Sequence, residues 1–118
     1  MLILNRNFIQ ILMHYTSNKP LADVNCVLFS ISSNNQNEKL TDVKFFVRVL
    51  NSSSQVKMQP PSGDSLAAFN PLLPPSAISQ ILLIKSKNRE NIPVEYTLQY
   101  TANQEEKTIN GIVEIDCS

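Results

Sequence analysis

His14 is the one histidine of the 118-residue chain, and an imidazole is the first place to look for general acid or base chemistry. It stands in Ile11-Leu12-Met13-His14-Tyr15, opposite the face that carries Ile9, Ile11 and Met13, which places it at the surface or rim of a strand. No serine or cysteine motif of a known nucleophile type accompanies it, so it has nothing to activate. Cys26 and Cys117 are far apart, with neither metal-ligand spacing nor the dense pattern of a disulfide-stapled secreted domain. They read as two reduced thiols of a cytosolic protein. A zinc site would need about four His and Cys ligands at short spacings, and these are missing.

Glu105-Glu106 and Asp64 lack the alternating Asp/Asn run that builds a calcium loop and read as solvated turns. Lys85, Lys87 and Arg89 form a basic cluster at a strand end, without interleaved aromatics to stack on bases. Ten Lys plus Arg balance ten Asp plus Glu to a formal charge of zero, which argues against a phosphate-binding surface. Two glycines in the whole chain cannot build a phosphate-cradling loop. Asn51-Ser52-Ser53 is a glycosylation sequon, which matters only in a secretory lumen. Met1-Leu2-Ile3-Leu4 is too short for the apolar region of a signal peptide, and no stretch reaches the roughly 20 apolar residues of a membrane span.

The elements that would position these groups are strands. Ile92, Val94, Tyr96, Leu98 and Tyr100 alternate with Pro93, Glu95, Thr97 and Gln99, the period of a half-buried strand. Val43, Phe45, Val47 and Val49 alternate with Lys44, Phe46, Arg48 and Leu50, whose two apolar members mark a second face that is also partly covered. Further strands are read at about 1 to 4, 8 to 15, 22 to 32, 54 to 59, 77 to 86 and 107 to 115. Turns fall at Asn5-Arg6-Asn7, at Ser17 to Pro20, Ser32 to Lys39, Lys87 to Asn91 and Ala102 to Glu106. Residues 60 to 75 hold five of the seven prolines, a turn followed by extended backbone short of donors. No helical stripe, internal repeat or second domain is visible. About seven or eight short antiparallel strands make an all-β sandwich.

With catalysis, metals and nucleic acid weakened, recognition remains. A sandwich can pair an extended peptide with a strand while alternate side chains enter apolar pockets. Phe46, Leu50, Val56 and Met58, beside Pro60 and Pro61, are the apolar residues available for such a groove; the plainer reading makes them ordinary core.

The stretch Val56-Lys57-Met58-Gln59-Pro60-Pro61-Ser62-Gly63-Asp64-Ser65-Leu66-Ala67-Ala68-Phe69-Asn70-Pro71, followed by Leu73-Pro74-Pro75-Ser76-Ala77-Ile78-Ser79-Gln80-Ile81-Leu82-Leu83, closely resembles the gamma-adaptin ear domain. The likeness is greatest to the Golgi-localised, gamma-ear-containing, ARF-binding clathrin adaptors. Asn7-Phe8 with Ile11 to Tyr15 resembles the family's first turn and strand, and Val94-Glu95-Tyr96-Thr97-Leu98 its penultimate long strand. The resemblance implies an immunoglobulin-like β-sandwich spanning residues 1–118 as a single domain. It implies no enzyme and no cofactor. It further implies a monomeric ear within a larger cytoplasmic adaptor, peripheral at the trans-Golgi network and endosomes. Such an ear captures accessory trafficking proteins through short extended peptides with an aromatic or bulky apolar residue, Gly, an acidic residue and another large apolar residue.

Aligned back from Pro60-Pro61-Ser62-Gly63, the family's pocket positions fall on Val49, where Ala is usual, on Ser52, usually Lys, and on Met58 and Pro61, with Leu50 beside them. Two family arginines that meet acidic ligand groups fall on Pro93 and Glu95. A ligand acid facing Glu95 would be repelled unless Lys57, Lys85 or Arg48 compensates. Pro93 lacks an N–H and is expected at a sheet edge or a strand end. Val49 should narrow a pocket that Ala leaves open. The other function class compatible with the fold is an extracellular immunoglobulin-like adhesion or carbohydrate-binding module, motivated by the Asn51 sequon.

Overall fold

Apolar residues at every second position drive the chain into strands with one face to bury. The computed structural model describes residues 1–16, 24–50, 54–74, 76–86 and 91–116, and among these it contains eight strands and no helix. They are β1 (Leu2–Arg6), β2 (Ile9–Tyr15), β3 (Val24–Ser33), β4 (Leu40–Val49), β5 (Ser54–Met58), β6 (Ala77–Ser86), β7 (Asn91–Ala102) and β8 (Glu105–Asp116). A five-stranded sheet runs β1-β2-β3-β6-β5 and a three-stranded sheet β4-β7-β8, with every pairing antiparallel. The all-β sandwich expected from the sequence is the fold.

Boundaries move where turns are tight. β1 continues through Arg6, and the first turn is Asn7 and Phe8, at φ 55° and 66°. Asn103 and Gln104, at φ 52° and 65°, make the same kind of two-residue reversal between β7 and β8. Both match the mirror-image turns that suit strand twist. β7 and β8 therefore outrun the apolar alternation that announced them, because their last residues pair through backbone while Glu105, Glu106 and Lys107 stay exposed.

The sheets meet through aromatic packing: the Phe29 ring of β3 lies 4.9 Å from that of Phe45 on β4, and Phe45 lies 6.1 Å from Tyr96 on β7. Tyr96 then crosses Gly111, its cross-strand partner on β8, and donates its phenol to the Ile3 carbonyl of β1 at 3.1 Å. At the β8 terminus, the Asp116 amide donates to the Tyr15 hydroxyl of β2 at 2.8 Å. One side of the sandwich is thus stitched by two phenols.

The other side is closed by the proline-rich segment, which does more than turn. Gln59 and Ser62 donate backbone N–H groups to Ile81 and Ser79 of β6, beside β5. A few residues on, Asp64 accepts from Val43, and Leu66 exchanges two bonds with Leu40 of β4. Residues 59–66 therefore leave the edge of one sheet and attach to the edge of the other, carrying Leu66 into the core at 1% exposure. Asp42, at φ 50°, sits in a bulge of β4 where Val43 turns its N–H from β7 to this segment.

Candidate functional site at the β4–β5 corner

β4 ends one sheet and β5 edges the other, and the two strands adjoin. Val49, the last residue of β4, pairs with Val94 of β7 and packs on the core while remaining half-buried. Met58, the last residue of β5, does the same opposite Leu82. Leu50 follows β4 with 44% of its surface exposed, and Phe46 stands at 50% on the outer face of the same strand. Pro61 is exposed in the segment that bonds along β6. The corner thus offers large apolar side chains that the core does not cover. Ser52 lies outside the described residues, as do Asn51, Ser53, Lys87, Arg89 and Cys117.

Pro93 is the third residue of β7, the central strand of its sheet, so it is not at a sheet edge. It stands where the β4–β7 ladder stops. Leu50 N–H donates to the Pro93 carbonyl at 3.0 Å, and in an antiparallel hydrogen-bonded pair the return bond would come from the N–H that proline lacks. The expectation of a strand end is therefore met with respect to β4, while the pairing of Pro93 with Glu114 of β8 continues.

Glu95 is not a bare charge. Arg48 lies directly across from it on β4 and its guanidinium reaches the carboxylate at 3.0 Å. Of the three cations that could compensate Glu95, Arg48 is the one in place. Lys57 and Lys85 sit on the outer face of the five-stranded sheet, opposite Leu83 and Gln55. On the far side of Glu95 stands Ile112 of β8, 67% exposed. Sequence reasoning passed over this residue; the signal was Ile112-Val113, apolar on consecutive positions and hence on both faces. The outer face of the small sheet therefore carries Phe46, Leu50, Pro93 and Ile112 around one neutralised ion pair.

Among the described residues no group of three His, Cys, Asp or Glu side chains could hold a metal ion. His14 is exposed on β2 across from Leu28, and Cys26 is buried with a free thiol. No described helix is long and apolar enough to cross a membrane.

Comparison with known proteins accords with the geometry. The family model for the adaptin C-terminal domain matches residues 1–114. The mouse ADP-ribosylation factor-binding protein GGA2 is 37% identical over 100 residues, which cover 83% of this chain and 16% of that protein. Human ADP-ribosylation factor-binding protein GGA1 is 42% identical over 62 residues, 52% of this chain and 9% of that one. The chain thus spans less than a fifth of the length of these curated relatives. The GAE domain of GGA2p from Saccharomyces cerevisiae superposes with a TM-score of 0.82 at 14% identity, covering 100% of this chain and 98% of that one. The yeast GGA1 GAE domain gives 0.78 at 16% identity, covering 97% and 96%. By the match across 1–114 and the GGA relatives, the chain belongs to the adaptin C-terminal domain family and has the gamma-adaptin-ear fold.

Proposed function

We propose that this domain is a clathrin-adaptor ear whose β4–β5 corner captures short extended peptides of accessory trafficking proteins at the trans-Golgi network and endosomes. The observation that carries the proposal is the set of large apolar side chains left open there, Leu50 and Phe46 exposed beside half-buried Val49 and Met58. Two bulky peptide residues would seat against Val49, Leu50, Met58 and Pro61, and backbone pairing would hold the chain between them. Ser52 enters this reading through the resemblance alone, and Pro93 and Glu95 lie on the outer face of β7 beside Leu50 and Arg48. Because Glu95 is occupied by Arg48, the site relies on apolar anchors more than on a ligand carboxylate. The domain works as a recognition module, monomeric within a longer adaptor, with no reaction and no cofactor of its own.

A peptide that fills two pockets against its own ordering cost should bind at roughly micromolar to 0.1 millimolar. Titration with an aromatic-Gly-acidic-aromatic peptide, followed by amide shifts, should move residues 46–61. Met58→Asp should abolish binding and leave the fold intact, since it charges an apolar seat at a strand end. No shift at millimolar peptide, or unchanged affinity in the Met58 variant, would place the function elsewhere. The extracellular alternative rests on the sandwich fold and on the Asn51 sequon, which lies outside the described residues, and glycan on Asn51 would support it.

A further inference from the structure

A strand at the edge of a sheet carries a row of backbone donors and acceptors, and chains guard such rows against stray pairing. Here β1 and β5 edge one sheet, β4 and β8 the other. β1 is five residues long, its register shifts between Leu2 and Leu4, and its Ile3 carbonyl is taken by the Tyr96 phenol. β5 is equally short and carries Lys57. β4 is bulged and bonded by the proline-rich crossover. β8 has none of these guards: it runs for 12 residues without proline or a shift of register, and its one lysine, Lys107, stands at the hairpin end.

The ladder fixes which groups are open. The Asp116 amide reaches Tyr15 on the other sheet, so it points away from β7. Because β7 and β8 pair residue for residue from Asn91–Asp116 to Ala102–Glu105, the backbone N–H and C=O groups of Glu106, Thr108, Asn110, Ile112 and Glu114 point the same way. All are exposed residues, and among the described residues none donates to these backbone groups or accepts from them. A helix has already spent its own backbone groups, so the occupant that matches this row is another extended strand.

Charge selects the strand. The alternation that buries Ile109 and Ile115 turns the side chains of those same even-numbered residues to the outer face of the small sheet. An incoming strand there meets a carboxylate at each end of the open stretch, Glu106 and Glu114, with Ile112 between them at 67% exposure. Glu114 accepts a 3.4 Å contact from the Asn91 side-chain amide, and among the described residues neither carboxylate is ion-paired. On the inner side the Arg6 guanidinium lies near the Tyr96 phenol, so basic residues of a partner belong at outer-face positions. A second copy fits poorly. Pairing two β8 edges antiparallel along their length sets Glu106 opposite Glu114 or opposite Asp116, and like charges directly opposite destabilise.

We infer that the free edge of β8 is a second docking site, which pairs antiparallel with an extended segment of a partner protein carrying a basic residue opposite Glu114, an apolar one opposite Ile112 and a basic one opposite Glu106. The edge lies at the border of the small sheet away from β4, so it works independently of the β4–β5 corner.

The probe is a synthetic peptide of about nine residues, the length of the open stretch, built of Thr and Val with Lys at both ends and Ile third from its N-terminus. Titrated into the 118-residue chain, it should shift the β8 amides, protect those of Thr108, Asn110 and Ile112 from hydrogen exchange, and leave those of residues 46–61 in place. N-methylation of its third, fifth and seventh residues, whose N–H groups meet the edge, should abolish binding, and N-methylation of the fourth and sixth should not. Asn110→Pro removes an edge donor without touching the β7 ladder, so it should weaken binding about tenfold at an unchanged unfolding midpoint. Glu106→Lys combined with Glu114→Lys should reverse the preference, so that a Glu-ended peptide binds better than the Lys-ended one. Equal binding of the peptide methylated at its third, fifth and seventh residues, equal binding of Lys-ended and Glu-ended peptides to the unaltered chain, shifts confined to residues 46–61, or no shift at all would overturn the inference. So would a dimer in sedimentation that Asn110→Pro dissolves, which would give the edge to a second copy.

Discussion

Tyr96 and Gly111 work as a pair. A Cβ on Gly111 would overlap the Tyr96 ring, coming within 2.7 Å of its Cε2 and closer still to Cζ and the hydroxyl. Gly111→Ala should therefore displace the phenol from Ile3 and destabilise the domain by about 1–3 kcal/mol, as overpacking does. Tyr96→Phe should cost about 1 kcal/mol through the lost hydrogen bond. Because they disturb one arrangement, the two changes together should cost less than their sum in denaturant midpoints; strict additivity would contradict the pairing. The same phenol gives a pH signature. Burial pushes its pKa above the ordinary value of 10.0, and the Arg6 guanidinium draws it partly back. A group with a raised folded-state pKa keeps its full stabilisation below the unfolded value and loses it as pH rises through the folded one, because the unfolded chain releases the proton first. Stability should thus decline above pH 10.0, and Tyr96→Phe should flatten that decline in unfolding curves.

At the scale of elements, Pro93 decides where the corner opens. Replacing it with Val restores a donor opposite the Leu50 carbonyl, so the β4–β7 ladder should lengthen by one bond and gain about 0.5–1.5 kcal/mol. Hydrogen exchange should find the new amide at 93 protected, and rapid exchange there would show that something other than the proline ends the ladder. This element is also where sequence and structure part company. The alternation from Ile92 to Tyr100 is legible because one face is apolar and one is not, and the strand follows from it. Arg48 facing Glu95 is not legible, since they are 47 residues apart and their register is set only once the β4 bulge at Asp42 has shifted the pairing. The corner residues Leu50, Met58 and Pro61 can be read as apolar types from the sequence. Their exposure follows from β4 and β5 ending in different sheets at one corner, a property of the assembled sandwich. Ile112 escapes notice for the same reason: an apolar residue on a polar face has no period of its own.

On the whole-molecule scale, the proline-rich crossover is what relates the two sheets on the side of the candidate site. Its backbone bonds alternate owners, β6 through Gln59 and Ser62, then β4 through Asp64 and Leu66, and a single buried side chain anchors the passage. Proline suits the task because extended backbone with few donors can run between two edges without leaving many N–H groups unpaired. Leu66→Ala should cost about 2–5 kcal/mol through lost burial and the cavity left behind, and the loss should not stay local. Alanine keeps the two backbone bonds to Leu40 but removes the side chain that seats the segment in the core, so the path through Pro61 back to Met58 should loosen and peptide affinity at the corner should fall as well. Ile31→Ala, equally buried but paired with Ile11 and Ile78 inside the five-stranded sheet, should cost similar stability with less effect on the distance between sheets. Measured below the unfolding midpoint of both variants, a larger drop in affinity for Leu66→Ala than for Ile31→Ala would follow from the crossover setting the width of the corner. Equal drops would mean that the corner depends only on overall stability.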